Sequence, residues 1–148
     1  MALEGNDRSI AAFTMAGHAL VHWFETSIPI FLVVWLAEFD AGVSLFGIVV
    51  ALGYAPFGIG ALPGGVLADR YSERSVMTVG DVVVAAALVA VVTAPTALVL
   101  FAATGLVGLG QSLYPIARIT ILTEIYPDRI GSALGVTMAT GDLGQTVL

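Results

Sequence analysis

The chain has no cysteine and no lysine among its 148 residues. Without cysteine there can be no disulfide, no thiolate nucleophile and no Cys-ligated metal. Without lysine the 5 basic residues are all arginines, Arg8, Arg70, Arg74, Arg118 and Arg129, set against 11 acidic ones for a formal charge of -6. Such a balance offers no basic face to neutralise a run of phosphates, which excludes nucleic acid as a partner. Charge of either sign is scarce, at 11% of residues, whereas a soluble domain of this size needs far more polar surface to cover its core. No nucleophile–base–orienter set and no phosphate-cradling glycine loop is present, so neither an enzyme nor a bound cofactor is expected.

What is abundant is apolar. Hydrophobic residues make up 58% of the chain, and the mean hydropathy is +0.98. A helix crossing the hydrocarbon layer needs roughly 20 mostly apolar residues. The charge-poor stretches place a first span at 10–36, interrupted by His18, His22 and Glu25, and a second at 43–67. The interval from Asp81 to Arg118 holds no charge and is too long for one helix; Ala94-Pro95 is its natural break, giving spans at 76–92 and 97–117. Tyr126-Pro127-Asp128 marks a polar turn, and a fifth apolar stretch occupies 130–148. The expected fold is an all-α, polytopic transmembrane helix bundle. The run after Arg8 is longer than the apolar region of a signal peptide and is expected to remain as a membrane helix. With the amino terminus in the cytoplasm, every arginine falls on the cytoplasmic side, as the positive-inside rule requires.

Glycine clusters inside the spans: Gly58, Gly60, Gly64 and Gly65 in the second, Gly105, Gly108 and Gly110 in the fourth. Gly60 with Gly64, and Gly131 with Gly135, have the small-xxx-small spacing that lets helix backbones approach closely in lipid.

Three ionisable residues of the first span share one face. At 100° per residue, His18, His22 and Glu25 fall within an arc of roughly 60°. A rise of 1.5 Å per residue puts His18 about 12 Å and Glu25 about 22 Å into the span. An ionisable group at that depth needs a partner or a water-filled cavity. Three readings remain open: a cavity-facing set in which Glu25 holds a proton or a cationic substrate; polar contacts that only join helices; and a two-histidine, one-carboxylate metal site, for which nothing but the spacing speaks, so that no metal is expected. Asp142 lies about 18 Å into the fifth stretch and is a second candidate for the same cavity. Tyr54, Gln111 and Tyr114 are lesser candidates.

Between the second and third spans stands Gly65-Val66-Leu67-Ala68-Asp69-Arg70-Tyr71-Ser72-Glu73-Arg74. An Asp-Arg pair at the water boundary, with a second arginine four residues on, can latch the cytoplasmic ends of helices and release them. This stretch resembles the signature loop G-x-x-x-D-R-x-G-x-R of major facilitator superfamily (MFS) transporters, with Gly65, Asp69, Arg70 and Arg74 matching and Ser72 replacing the second glycine. Gly17-His18-Ala19-Leu20-Val21-His22, Ile28-Pro29, Tyr114-Pro115 and the glycines from Gly131 to Gly144 resemble the branch of fosmidomycin-resistance-type efflux proteins. Thr104 stands where many proton-coupled exporters carry a buried arginine, a departure from the pattern.

The resemblance implies a secondary active carrier of small molecules in the plasma membrane, working by alternating access toward efflux, with Asp142 and Glu25 near one another. It also implies that these residues are a truncated amino-terminal half, whose partners are the lipid bilayer, a small-molecule substrate, and the missing carboxy-terminal half or another chain. The alternatives are a small self-assembling multidrug-exporter-like dimer and a non-transporting membrane subunit.

Overall fold

In the computed structural model, residues 5–40 and 42–147 are described. The chain is all-α, 89% helical, and no strand occurs among the described residues. The helices are α1 (Gly5–Glu38), α2 (Ser44–Arg70), α3 (Glu73–Val92), α4 (Ala97–Ser112), α5 (Pro115–Ile125) and α6 (Ile130–Gln145), with a 3-10 turn at Pro127–Arg129 before α6. Four stretches are long and apolar enough to cross a membrane: Asn6–Glu38, Gly47–Arg70, Glu73–Val92 and Ala97–Ile125. Each shows large hydrophobic side chains on its outer face, such as Val33 on α1, Ile59 on α2, Val89 on α3 and Leu98 on α4. Such faces suit lipid tails or another apolar helix rather than water.

Proline alone does not end these helices. Pro29, Pro56 and Pro63 lie inside α1 and α2. The break at Pro95 is instead made by two threonines: Thr93 closes α3 through its amide and hydroxyl on the Val89 carbonyl, and Thr96 opens α4 by accepting from the Val99 amide at 3.4 Å. The apolar stretch that begins at Ala97 runs on past Ala117 to Ile125. Pro115 cannot donate to the Gln111 carbonyl, which accepts from the Tyr114 amide at 3.1 Å instead, and after this tight turn α5 continues to Ile125. Arg118 therefore lies in the first turn of α5 and is buried.

The described residues form two compact units, 29–117 and, from both ends of the chain, 1–28 with 118–148. In the first, α4 is the central helix. Its Gly108 abuts the Gly53 carbonyl of α2, leaving no room for a side chain. Two residues further and on the opposite side, Gly110 meets α3, where a Cβ would stand 3.0 Å from the Gly80 carbonyl. On α2, Gly60 and Gly64 both face Ser112, the Cβ position of Gly64 falling 2.9 Å from its carbonyl oxygen. Val49, Met77, Leu100 and Val107 fill the space between these contacts and are fully buried.

In the second unit α6 presents Ala133, Thr137, Gly141 and Gly144 inward. Gly144 packs on the Ala19 carbonyl and Gly141 on His18 and His22. The expectation for Gly131 and Gly135 is corrected here: both are exposed, with open space where a Cβ would stand. Helix rotation turns that pair away and gives the close approach to Gly141 and Gly144.

Candidate functional site

α1 is 34 residues long, about 51 Å against a hydrocarbon layer of about 30 Å. Its midpoint falls between Val21 and His22, so His18, His22 and Glu25 all lie within about 6 Å of the centre of the helix. The three side chains form one connected set. The rings of His18 and His22 meet edge to face at 4.6 Å between centroids, and His22 Nδ1 lies 3.8 Å from a carboxylate oxygen of Glu25. His18 is buried, while His22 and Glu25 are about a quarter exposed. Pro29 adds to the polarity, because its missing N–H leaves the Glu25 carbonyl without the donor a helix normally supplies four residues on.

The second wall comes from α6. A Cβ on Gly141 would stand 2.8 Å from His18 Nε2 and 2.9 Å from His22 Cδ2, so glycine is what lets the imidazoles lie against this helix. One turn further, Gln145 Nε2 lies 2.7 Å from His22 Nδ1. Contacts pair Ala19 with Gly144 and His22 with Gln145, advancing together along both helices, so α1 and α6 run parallel.

Gln145 is the residue that sequence reasoning missed. It lies at i+4 from Gly141, on the same stripe of α6, and a polar amide on a glycine-lined face was the available signal. Asp142 is offset by about 100° from Gly141 and is exposed. Among the described residues nothing joins it to Glu25. No group of three His, Cys, Asp or Glu suited to a metal occurs among the described residues. Gln111 and Tyr114 are buried, and Tyr54 is exposed.

The loop between α2 and α3 is built by short-range chemistry. Gly65 lets Ile116 lie on α2, its Cβ position 3.0 Å from that side chain. Asp69 and Arg70 occupy the exposed carboxy-terminal end of α2, and Arg74 the exposed first turn of α3. The Arg70 guanidinium sits 5.9 Å from the centre of the Tyr71 ring. Ser72, the departure from the signature, is the N-cap of α3: its hydroxyl accepts from the Ser75 amide at 3.2 Å and donates to the Ser75 hydroxyl at 2.8 Å. Ser72→Ala is expected to cost about 1 kcal/mol and Ser72→Gly only a few tenths. Thermal unfolding of the two variants in detergent checks this; equal losses would mean the cap contributes nothing.

Neither a curated protein nor a solved structure matches the chain. The family model described as Major Facilitator Superfamily matches residues 14–148, which takes in the α1 cluster, the loop after α2 and all of α6. With apolar helices of membrane-crossing length and a family whose members are transporters, the chain belongs to the Major Facilitator Superfamily.

Proposed function

We propose that this chain is the amino-terminal half of a secondary active carrier of the fosmidomycin-resistance type, exporting small molecules by alternating access across the plasma membrane. The observation that carries the proposal is the ionisable cluster at the middle of α1, His18, His22 and Glu25, with the two histidines against α6. Such groups are costly in lipid and persist where they meet water, substrate or a transported proton. Glu25 is the proton or cation acceptor, and the histidines relay protons or hydrogen-bond substrate; Asp142, exposed and off the α1-facing stripe, is left out of that path. A second half of the same carrier, or a partner chain, supplies the opposite wall. The distribution of the arginines supports an orientation with the amino terminus and the loop between α2 and α3 in the cytoplasm.

The test is reconstitution of the full-length carrier in liposomes with a trapped pH-sensitive dye, challenged with a panel of small organic cations and anions. A carrier of this kind links uptake of at least one class to proton movement; a panel that moves neither solute nor protons would overturn the proposal. Orientation is read with a membrane-impermeant maleimide, because the chain has no native cysteine. Tyr71→Cys, at an exposed position, is expected to react only in inverted vesicles, and reaction in intact cells reverses the topology.

In the same proposal Asp69 acts as a cytoplasmic latch. Asp69→Asn is expected to slow interconversion of the inward and outward states while substrate affinity stays near wild type. Unchanged turnover would remove Asp69 from that role.

A further inference from the structure

One atom in the α1 cluster has two competing partners on different helices. His22 Nδ1 lies 2.7 Å from Gln145 Nε2 on α6 and 3.8 Å from the Glu25 carboxylate one turn along its own helix. Gln145 Nε2 is a donor only, so the short contact is a hydrogen bond when Nδ1 carries a lone pair, which fixes neutral His22 as the Nε2–H tautomer. A proton arriving at Nδ1 turns that contact into donor facing donor. Two acceptors are then in reach: the Glu25 carboxylate, and the Gln145 carbonyl oxygen after the amide turns over. With imidazolium as donor both bonds are charge-assisted, and the carboxylate adds a full opposing charge that the neutral amide oxygen lacks.

The geometry points to His22 as a two-position switch held by Gln145: neutral, it ties α1 to α6; protonated at Nδ1, it turns to Glu25 and releases α6. Gln145 is thereby a positioning residue, which sets the tautomer and the resting partner of His22 without itself titrating. Gly141 and Gly144 bring the two backbones close enough for one side-chain bond to span them. His18 Nε2, buried against Gly141, has no hydrogen-bond partner in this arrangement.

The surrounding charges are few. His18 stacks on His22 from the same helix, and Arg118 of α5 acts electrostatically on His18. On α6 the neighbouring acid Asp142 is exposed and points off the contact stripe. Glu25 is thus the carboxylate that faces the Nδ1 atom. The inference rests on the carrier proposal for what the movement serves, and on the α1–α6 geometry for the movement itself.

The test uses the full-length carrier in phosphatidylcholine–phosphatidylglycerol bilayers at about pH 8 and about pH 5. Solid-state NMR of the 15N-labelled histidines of residues 18 and 22, assigned with His18→Gln, reads the tautomer. Spin labels on Leu20→Cys and Val147→Cys, which line one apolar groove between the two helices, read the separation. At the higher pH, His22 Nδ1 is expected as the bare nitrogen; at the lower, it carries the proton and the label separation lengthens. Gln145→Leu is expected to lose the pH-dependent change in separation. Gln145→Glu puts an acceptor where the donor stood, so it should hold protonated His22 on α6 and cancel or reverse the change. A wild-type separation that stays fixed while His22 titrates overturns the switch, as does an unaltered pH response in both Gln145 variants. Separation that follows pH in a protein that moves no solute keeps the switch and removes the carrier; solute transport with a fixed separation does the reverse.

Discussion

Gly108→Ala is expected to leave little folded protein, and Gly108→Leu none. A Cβ at this position would run into the Gly53 carbonyl, with a second contact to the Leu52 carbonyl at 3.3 Å. Both obstacles are backbone atoms of a helix, so no side chain can swing aside; α2 and α4 must move apart as rigid bodies. Separation empties the packing made by Val49, Leu100 and Val107 and opens the neighbouring contacts of Gly60 and Gly64 with Ser112. In lipid no hydrophobic force restores the pair, because tails solvate the exposed faces as well as another helix does. Overpacking of this kind costs about 1–3 kcal/mol even where neighbours can adjust, against a gain of about 1 kcal/mol from replacing a helical glycine by alanine. The sign is decided by surroundings, which makes Gly131→Ala and Gly135→Ala the controls. Both have open space at the Cβ position and should be neutral or stabilising by up to about 1 kcal/mol. Melting of detergent-extracted protein, followed by size-exclusion chromatography, separates the outcomes. A Gly108→Ala protein that melts at or above wild type would mean that α2 and α4 are not in backbone contact.

Glu25→Gln is expected to abolish uphill transport while leaving membrane insertion and thermal stability near wild type. Glutamine preserves the volume and most of the hydrogen-bonding capacity of the side chain and removes only its ability to ionise. Any contact that merely joins helices survives the exchange; an exchange of protons or cations does not. The expected signature is therefore a split. Accumulation against a gradient disappears, while equilibrative exchange of substrate continues at a measurable rate, and Glu25→Asp restores part of the accumulation. Gradient-driven accumulation at the wild-type level in Glu25→Gln would remove Glu25 from the mechanism and leave the cluster as interhelical glue. Parallel loss of insertion would carry the same message, because then the carboxylate is needed to build the protein rather than to run it.

Solvent class was legible in the sequence because it depends on sums: few charges and long apolar runs. The co-facial placement of His18, His22 and Glu25 was legible too, since helical periodicity places side chains on a common face without reference to anything outside the helix. The break at Ala94-Pro95 was found by looking for proline, but Pro29, Pro56 and Pro63 show that proline was a coincident marker. The capping threonines Thr93 and Thr96 carry the break. Arg118 reads as a solvated residue when charge is taken to mean water, yet in the folded chain it is buried in α5.

The sequence by itself determined that this chain lives in a membrane, how its ionisable residues are distributed along α1, and the superfamily loop after α2. These are properties of composition and of single helices, set by hydration energy and by a fixed 100° turn per residue. Only the tertiary structure decided which glycines are contacts, that α6 turns Gly141 and Gln145 toward the histidines, and that Asp142 lies off that stripe. Rotation of a helix about its own axis costs almost nothing until it meets a neighbour. In lipid that choice is made by the closeness of fit between two particular surfaces, and such a fit is a property of the pair.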